Sequence, residues 1–151
     1  MSVDARIAGS IYSLPGQIVS FAVAAAITMG QPVYISAAMT VSPATARTHN
    51  VIGVAVTNQA TVGKQVSVLM GCPIVYMSAL DTTVVAGVHV VASTGGEIIA
   101  ADVADQAVNE AGSATYTFSV SYIIGTALET AAAAHAIVRV AVMQKNICLT
   151  P

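Results

Sequence analysis

The chain has 151 residues, of which 56% are hydrophobic and only 8% charged, whereas a typical soluble domain carries about 25% charged residues. Its formal net charge is −2 and its five Lys and Arg residues are scattered, which excludes the basic stripe of a direct nucleic-acid binder. A surface this short of charge is most simply covered by partner subunits, so we expect an oligomer.

The longest uncharged span, Ile7 to Ala46, does not predict a membrane helix. Its apolar centre, Phe21 to Ile27, is far shorter than the roughly 20 continuous apolar residues that cross a bilayer. No basic region followed by an apolar run opens the chain, so we expect neither a signal peptide nor a membrane partner.

The first quarter of the chain predicts an arm and two strands. Met1 to Ser13 lacks a hydrophobic period and is interpreted as an extended N-terminal arm. The Pro-Gly pair in Leu14 to Gln17 predicts a turn before a strand from Ile18 to Ala26. A second strand begins at Pro32, where the missing N–H is harmless, and Ala37 to Asn50 is interpreted as a polar excursion.

One pattern then occurs twice, at Val51 to Met70 and at Ile123 to Val142, and the two copies align without a gap. Each copy has a short apolar run with one glycine, a turn of small residues, and an alternating run, which together predict a β-hairpin. Glycine inside an apolar strand marks a bulge, a bend or the close approach of another backbone. We interpret Gly53 and Gly125 as bends.

The layout before each hairpin is also repeated, because Ala86 to Ser93 matches Met29 to Ser36. The excursion in the second half is longer, and it predicts a short helix from Val103 to Glu110 and a strand from Thr115 to Val120. Between the halves, Cys72 to Ser78 predicts a further strand. We place the repeat halves at about 27–70 and 84–142, within a single β-rich domain from residue 14 to residue 151.

Residues that could carry chemistry are few and dispersed. His49, His89 and His135 have no His or Cys neighbour at metal-ligand spacing, so we expect His89 to be a strand residue and His135 a surface turn residue. Gly95 and Gly96 predict a hairpin turn, since the Lys-Ser/Thr of a phosphate loop is missing. We expect no enzyme, no metal and no cofactor.

The two cysteines, Cys72 and Cys148, lie far apart and are not part of a metal-binding motif. They permit one disulfide without requiring it. The interpretation we favour is two buried free thiols in a protein made in a reducing cytoplasm.

The order of these motifs resembles the small capsid decoration, or cement, proteins of tailed bacteriophages. The resemblance covers Ile27 to Met143 and depends on the succession Ile-Thr-x-Gly-x-x-Val-Tyr, Ile-Gly-Val-Ala, Val-x-Val, Ala-Gly-x-x-Val, Gly-Gly-Glu-Ile-Ile, Ile-Ile-Gly-Thr-Ala-Leu-Glu and Ile-Val-Arg-Val. It implies a β-rich homotrimer on the outer capsid surface of the virion, which clamps neighbouring subunits of the major capsid protein. The family has no catalytic residues to carry over.

The predicted fold is therefore all-β, a small barrel or sandwich-like domain built on an internal duplication, with an extended arm and at most one short helix. The alternative function is a head-fibre or host-surface, carbohydrate-binding module, for which more exposed aromatic residues would be expected than five Tyr and two Phe. An extended arm can add as a strand to the edge of a partner's sheet. The arm residues expected to contact the capsid are Ser2, Val3, Asp4, Ala5, Arg6 and Ile7.

Overall fold

The structure, a computed structural model, describes residues 8–9, 11–13, 16–101 and 122–143. These residues form strands joined by turns and one 3-10 turn at Thr94–Gly96. The strands are β1 (Ile11–Ser13), β2 (Gly16–Val23), β3 (Pro32–Ala37), β4 (Thr40–Pro43), β5 (Val51–Ala55), β6 (Gln65–Gly71), β7 (Ile74–Ser78), β8 (His89–Ala92), β9 (Ile98–Ala100), β10 (Ile123–Ala127) and β11 (Ile137–Val142). The prediction of an all-β fold is confirmed.

The strands form two similar units. In the order β2-β4-β3-β5-β6 they close a five-stranded barrel, which we call the first barrel. The remaining strands form a sheet in the order β1-β7-β11-β10-β8-β9, and a single parallel bridge between Ala79 and Ile98 joins β7 to β9. We call β7 to β11 the second barrel, to which β1 is added as an outer strand.

Strand pairing shows that the second barrel repeats the first. In the first hairpin Val54 pairs with Leu69, and in the second hairpin their counterparts Thr126 and Ala141 pair in the same way. The pair Val33 and Gly53 likewise recurs as Val90 and Gly125. The parallel pairing that closes the first barrel recurs too. Val23 pairs with Val41 in the first barrel, and their counterparts Ala79 and Ile98 pair in the second. The internal duplication therefore covers all five strands of the first barrel and their counterparts β7 to β11, and it includes β2 and β7.

Both repeated glycines lie beside a β-bulge. Tyr34 pairs with Val51 while its neighbour Val33 pairs with Gly53, so Ile52 is the extra residue of the first barrel. The same irregularity occurs in β10 between Ile123 and Gly125. A bulge bends its strand and increases its twist, which a small barrel needs in order to close.

Alternation of side chains gives each barrel an apolar interior. The first barrel contains a cluster of Phe21, Val23, Ile27, Val33, Val41, Ala55, Val66 and Val68, all of them buried. The interior of the second barrel belongs to a larger cluster that also includes Val51, Val54 and Leu69 from the first barrel. The two barrels therefore share a buried contact.

Some predictions about local structure need correction, and others lie outside the described residues. The polar excursion from Ala37 to Asn50 contains a strand, β4, because Val41 packs into the barrel interior at 0% exposure. Cys72 is exposed, so the interpretation of two buried thiols is wrong for this residue. The predicted helix at residues 103–110, the predicted strand at 115–120, Cys148 and residues 1–7 of the arm lie outside the described residues.

The strand that begins at Pro32 and the hairpin turn at Gly95 and Gly96 are observed as predicted. Pro32 stands first in β3, and both glycines have positive φ between β8 and β9. Within the described parts of the chain, no helix is long and apolar enough to cross a membrane.

Candidate partner-binding surface

The N-terminal half of β2 has one open edge. Val23 donates its N–H to Lys64 on the β6 side, whereas Ala22 donates to Met39 on the opposite side. Because successive N–H groups of a strand alternate in direction, those of Ile18 and Ser20 also point away from β6. Among residues 16–101 and 122–143, no backbone group pairs with this edge at Ile18 or Ser20.

The corresponding edge of β7 in the second barrel is already occupied by a strand. There β1 runs antiparallel to β7, with Ile11 opposite Val75, and Gly9 donates its N–H to the Tyr76 carbonyl at 2.7 Å. Tyr76 is the counterpart of Ser20 when β7 is aligned with β2. The duplicated edge thus has the geometry to accept an extended segment, and its copy on β2 is open among the described residues.

An apolar groove lies beside this open edge. It has a volume of about 870 Å³ and lies where the ends of the two barrels meet. Its walls include Val19, Phe21, Met39, Ile52, Met70 and Met143. Ile18 and Met39 are 56% and 61% exposed, which is unusual for apolar side chains of this size at one site. An extended partner segment could pair with β2 and place side chains in the groove.

The arm is fastened to the body of the protein near its C-terminal end. Gly9 is buried between the two barrels, since the same glycine bonds Tyr76 of the second barrel and packs against Gly30 of the first. This anchor is not predictable from the sequence, because a Gly in an arm without hydrophobic periodicity does not reveal the backbone it faces. The predicted contact residues Ser2 to Ile7 precede the anchor and lie outside the described residues.

The polar groups of the second barrel form internal contacts. The Glu97 carboxylate accepts a hydrogen bond from Ser78 Oγ at 2.5 Å and lies 2.9 Å from His135 Nδ1. Partial burial acts to raise the pKa of the Glu97 carboxyl, but the contacts with Ser78 and His135 outweigh it and hold the pKa below its ordinary value. This cluster ties β7, the turn before β9 and the turn before β11 together.

We expect Glu97→Gln to weaken the dependence of stability on acid pH. A carboxyl whose pKa is lowered by folding stabilises the protein above its unfolded pKa, about 4.3. That contribution disappears as the pH falls through the lower folded pKa. The variant should lose about 1 kcal/mol at pH 7, yet its thermal midpoint should fall less than that of the wild type between about pH 6 and pH 3.

The matched control is Asp81→Asn. Hydrogen bonds from Thr83 also lower the pKa of Asp81, but this carboxyl is solvent-exposed and joins only neighbouring residues of one turn. We expect a smaller change than at Glu97. Equal acid sensitivity of the Glu97 variant and the wild type in circular-dichroism melts would contradict the role given to Glu97.

Other candidate residues also have local structural contacts. His89 lies in β8 with Nδ1 3.2 Å from Thr126 Oγ1, and His49 stacks on the Tyr34 ring at a centroid distance of 4.1 Å. His135 is an exposed turn residue, as predicted, and it has the left-handed backbone of its counterpart Gly63. The described residues contain no group of three His, Cys, Asp or Glu side chains that could hold a metal ion.

The sequence analysis missed the open edge, although the signal was present in the alternating stretches around Val19 and Val75. Aligning those stretches would have paired β2 with β7, but only the structure shows that β1 covers one edge and that no described residue covers the other. The chain matches no known protein-family model and no curated protein sequence.

Proposed function

We propose that this chain is a structural virion protein that binds the outer surface of an icosahedral phage capsid as a homotrimer. In this role it cements neighbouring subunits of the major capsid protein and stabilises the shell. The resemblance of the ordered motifs from Ile27 to Met143 supports this assignment. The low content of charged residues, 8%, supports extensive contact with protein partners.

The observation that carries the proposal is the open edge of β2 with its apolar groove. An edge strand binds an extended segment through main-chain hydrogen bonds, while pockets beside it take alternate side chains. We assign this edge to an extended segment of the major capsid protein, because the duplicated edge of β7 already holds an extended segment in the same position. Such binding requires shape and backbone but no reactive group.

The ionisable side chains of the second barrel support a structural role over an enzymatic one. Glu97 is engaged by Ser78 and His135, and Glu129 pairs with Arg139 at 2.6 Å. Glu129 also accepts the Arg139 backbone N–H at 3.0 Å, so its carboxylate fastens the start of the β10–β11 turn to β11. These carboxylates are used to hold turns in place.

Binding to emptied phage capsids tests the proposal. Ile18→Pro removes an N–H that points to the open edge and leaves the hydrogen bonds from β2 to β6 intact, since proline is tolerated on strand edges. We expect it to weaken capsid binding at least tenfold, about 1.4 kcal/mol. Ile18→Thr is the matched control, because it shortens the side chain but keeps the N–H.

The outcomes separate three possibilities. Weaker binding by the proline variant with near-normal binding by the threonine variant supports strand addition at β2. A lower thermal midpoint of the isolated Ile18→Pro variant, with unchanged capsid affinity, would show that this chain itself occupies the edge. Wild-type protein that does not sediment with emptied capsids would refute the capsid assignment.

The arm makes a second, separable contribution to the proposed binding. Deleting residues 2–7 retains the anchor at Gly9 and β1, so we expect the truncated protein to fold normally. We expect its affinity for emptied capsids to fall at least about tenfold if the arm adds to a capsid strand, as the sequence analysis predicts. Unchanged affinity in the same sedimentation assay would remove the arm from the binding surface.

A further inference from the structure

The contact between the two barrels is one-sided. Gln31 of the first barrel donates its side-chain N–H to the Gly95 carbonyl at 2.7 Å and packs over Gly96 of the second barrel. In the repeat, Val88 is the counterpart of Gln31, and Met39 is the counterpart of Gly96. Met39 is 61% exposed, so it has no equivalent cover. If a two-fold axis related the two barrels, the same contact would occur twice. It occurs once among the described residues, so the barrels are joined head to tail.

The surface of the first barrel that makes this contact is covered, whereas Gly87 and Leu128 of its copy have no cover among the described residues. We call this surface the docking face, formed by Gly30, Gln31 and Val56 in the first barrel and by Gly87, Val88 and Leu128 in the second. Gly30 is buried against Ala8 and Gly9, and the Gln31 side chain bonds the Gly95 carbonyl of the other barrel. By contrast, a Cβ at Gly87 would have no atom within 4 Å, and Leu128 is 43% exposed.

The opposite surface shows the same asymmetry with the barrels exchanged, because it is covered in the second barrel and exposed in the first. We call it the turn face, formed by Ala92, Gly95 and Gly96 in the second barrel and by Ile35, Ala38 and Met39 in the first. Gly96 is buried beneath Gln31, and Ala92 is 2% exposed within the shared cluster. Their counterparts Met39 and Ile35 are 61% and 45% exposed. Among the described residues, each chain thus leaves one docking face and one turn face without a partner, and both faces are apolar.

We propose that a second copy of this chain docks its second-barrel docking face, around Leu128, on the first-barrel turn face, around Ile35 and Ala38. The contact continues between chains the head-to-tail relation that already joins the barrels within one chain. When the chains close into a ring, a heterologous contact of this kind covers the free docking face and the free turn face of every copy. This inference rests on the self-association within the proposed function but not on capsid binding, and in a homotrimer each copy would contribute two barrels to the ring.

Two charge variants and their mixture test the interface by size exclusion with light scattering. Ile35→Glu spoils only the turn face and Leu128→Glu only the docking face, so we expect each purified variant to lose the oligomeric mass of the wild type and elute as a monomer. In an equimolar mixture each variant still has one intact face, and we expect a one-to-one dimer. Val62→Glu is the matched control, because Val62 is 65% exposed in a turn outside both faces. Its mass should equal that of the wild type.

Each other outcome overturns the proposal in a recognisable way. A monomeric wild type at tens of micromolar would refute self-docking, while capsid binding by that monomer would leave the proposed virion role standing. Variants that keep the wild-type mass would place the interface elsewhere. Monomeric variants whose mixture forms no dimer would show a contact that is not head to tail. If Ile35→Glu does not fold, Ala38→Glu tests the same face, because Ala38 is an exposed turn residue that does not line the groove beside β2.

Discussion

Replacing Gly125 by alanine is expected to destabilise the protein by about 3 kcal/mol or more, with a smaller but similar loss for Gly53→Ala. An added Cβ at Gly125 would press on the carbonyl oxygen of Ala141 and come within 2.9 Å of Val142 Cα. At Gly53 it would press on the Leu69 carbonyl oxygen and approach Val68 Cγ1 at 2.8 Å. Gly125 faces backbone atoms only, which cannot move aside as the Val68 side chain can.

These two glycines therefore have a sharper role than the bends interpreted from sequence. Each glycine follows a bulge residue and lets the other strand of its hairpin approach closely. The residues they face, Leu69 in the first barrel and Ala141 in the second, occupy the same position of the repeat. Thermal melts of both variants measure the effect, and Gly63→Ala provides the control. Gly63 has a positive φ but no atom within 4 Å of its Cβ, and its counterpart in the second barrel is already His135. Midpoints for Gly125→Ala as high as for Gly63→Ala would contradict the close approach.

Gly9→Ala is expected to have a comparably large effect, about 3 kcal/mol, although residue 9 belongs to the N-terminal arm. Its added Cβ would collide with Met29 Cγ and lie 2.6 Å from the Gly30 backbone nitrogen. The variant would also hold a side chain at φ +83, which is strained for any residue with a Cβ. Relieving the collision would move Gly9 away from Tyr76 and open the contact between the barrels.

Gly63→Ala also isolates the backbone component of this effect. Its φ of +80 is close to that of Gly9, but its Cβ would meet no atom within 4 Å, so we expect a cost of only about 1 kcal/mol. Denaturant unfolding of both variants gives the comparison. Equal losses would mean that the arm is not wedged between the barrels and that Gly9 is constrained by its φ alone.

The candidate surface was only partly predictable from sequence. Local alternation, which depends on residues close together in the chain, predicts the hairpin β5–β6, its copy β10–β11 and the strand β7. It does not predict the open edge of β2, because whether an edge is free depends on which distant strand lies beside it. In the second barrel that strand is β1, whose pairing of Ile11 with Val75 joins segments that the whole first barrel separates along the chain.

The sequence alone determined the β class, the two hairpins and the duplication. Alternating valines require one buried face, and Gly53 and Gly125 recur at equivalent positions where two backbones approach. Only the tertiary structure decided that β4 joins the first barrel, that Gly9 fastens the arm, and that Ile35 and Met39 are exposed while Ala92 and Gly96 are covered. The physical reason is that local patterns specify which face of a strand is apolar. They do not specify which neighbour covers that face, and in a duplicated chain the two copies can differ in this respect alone.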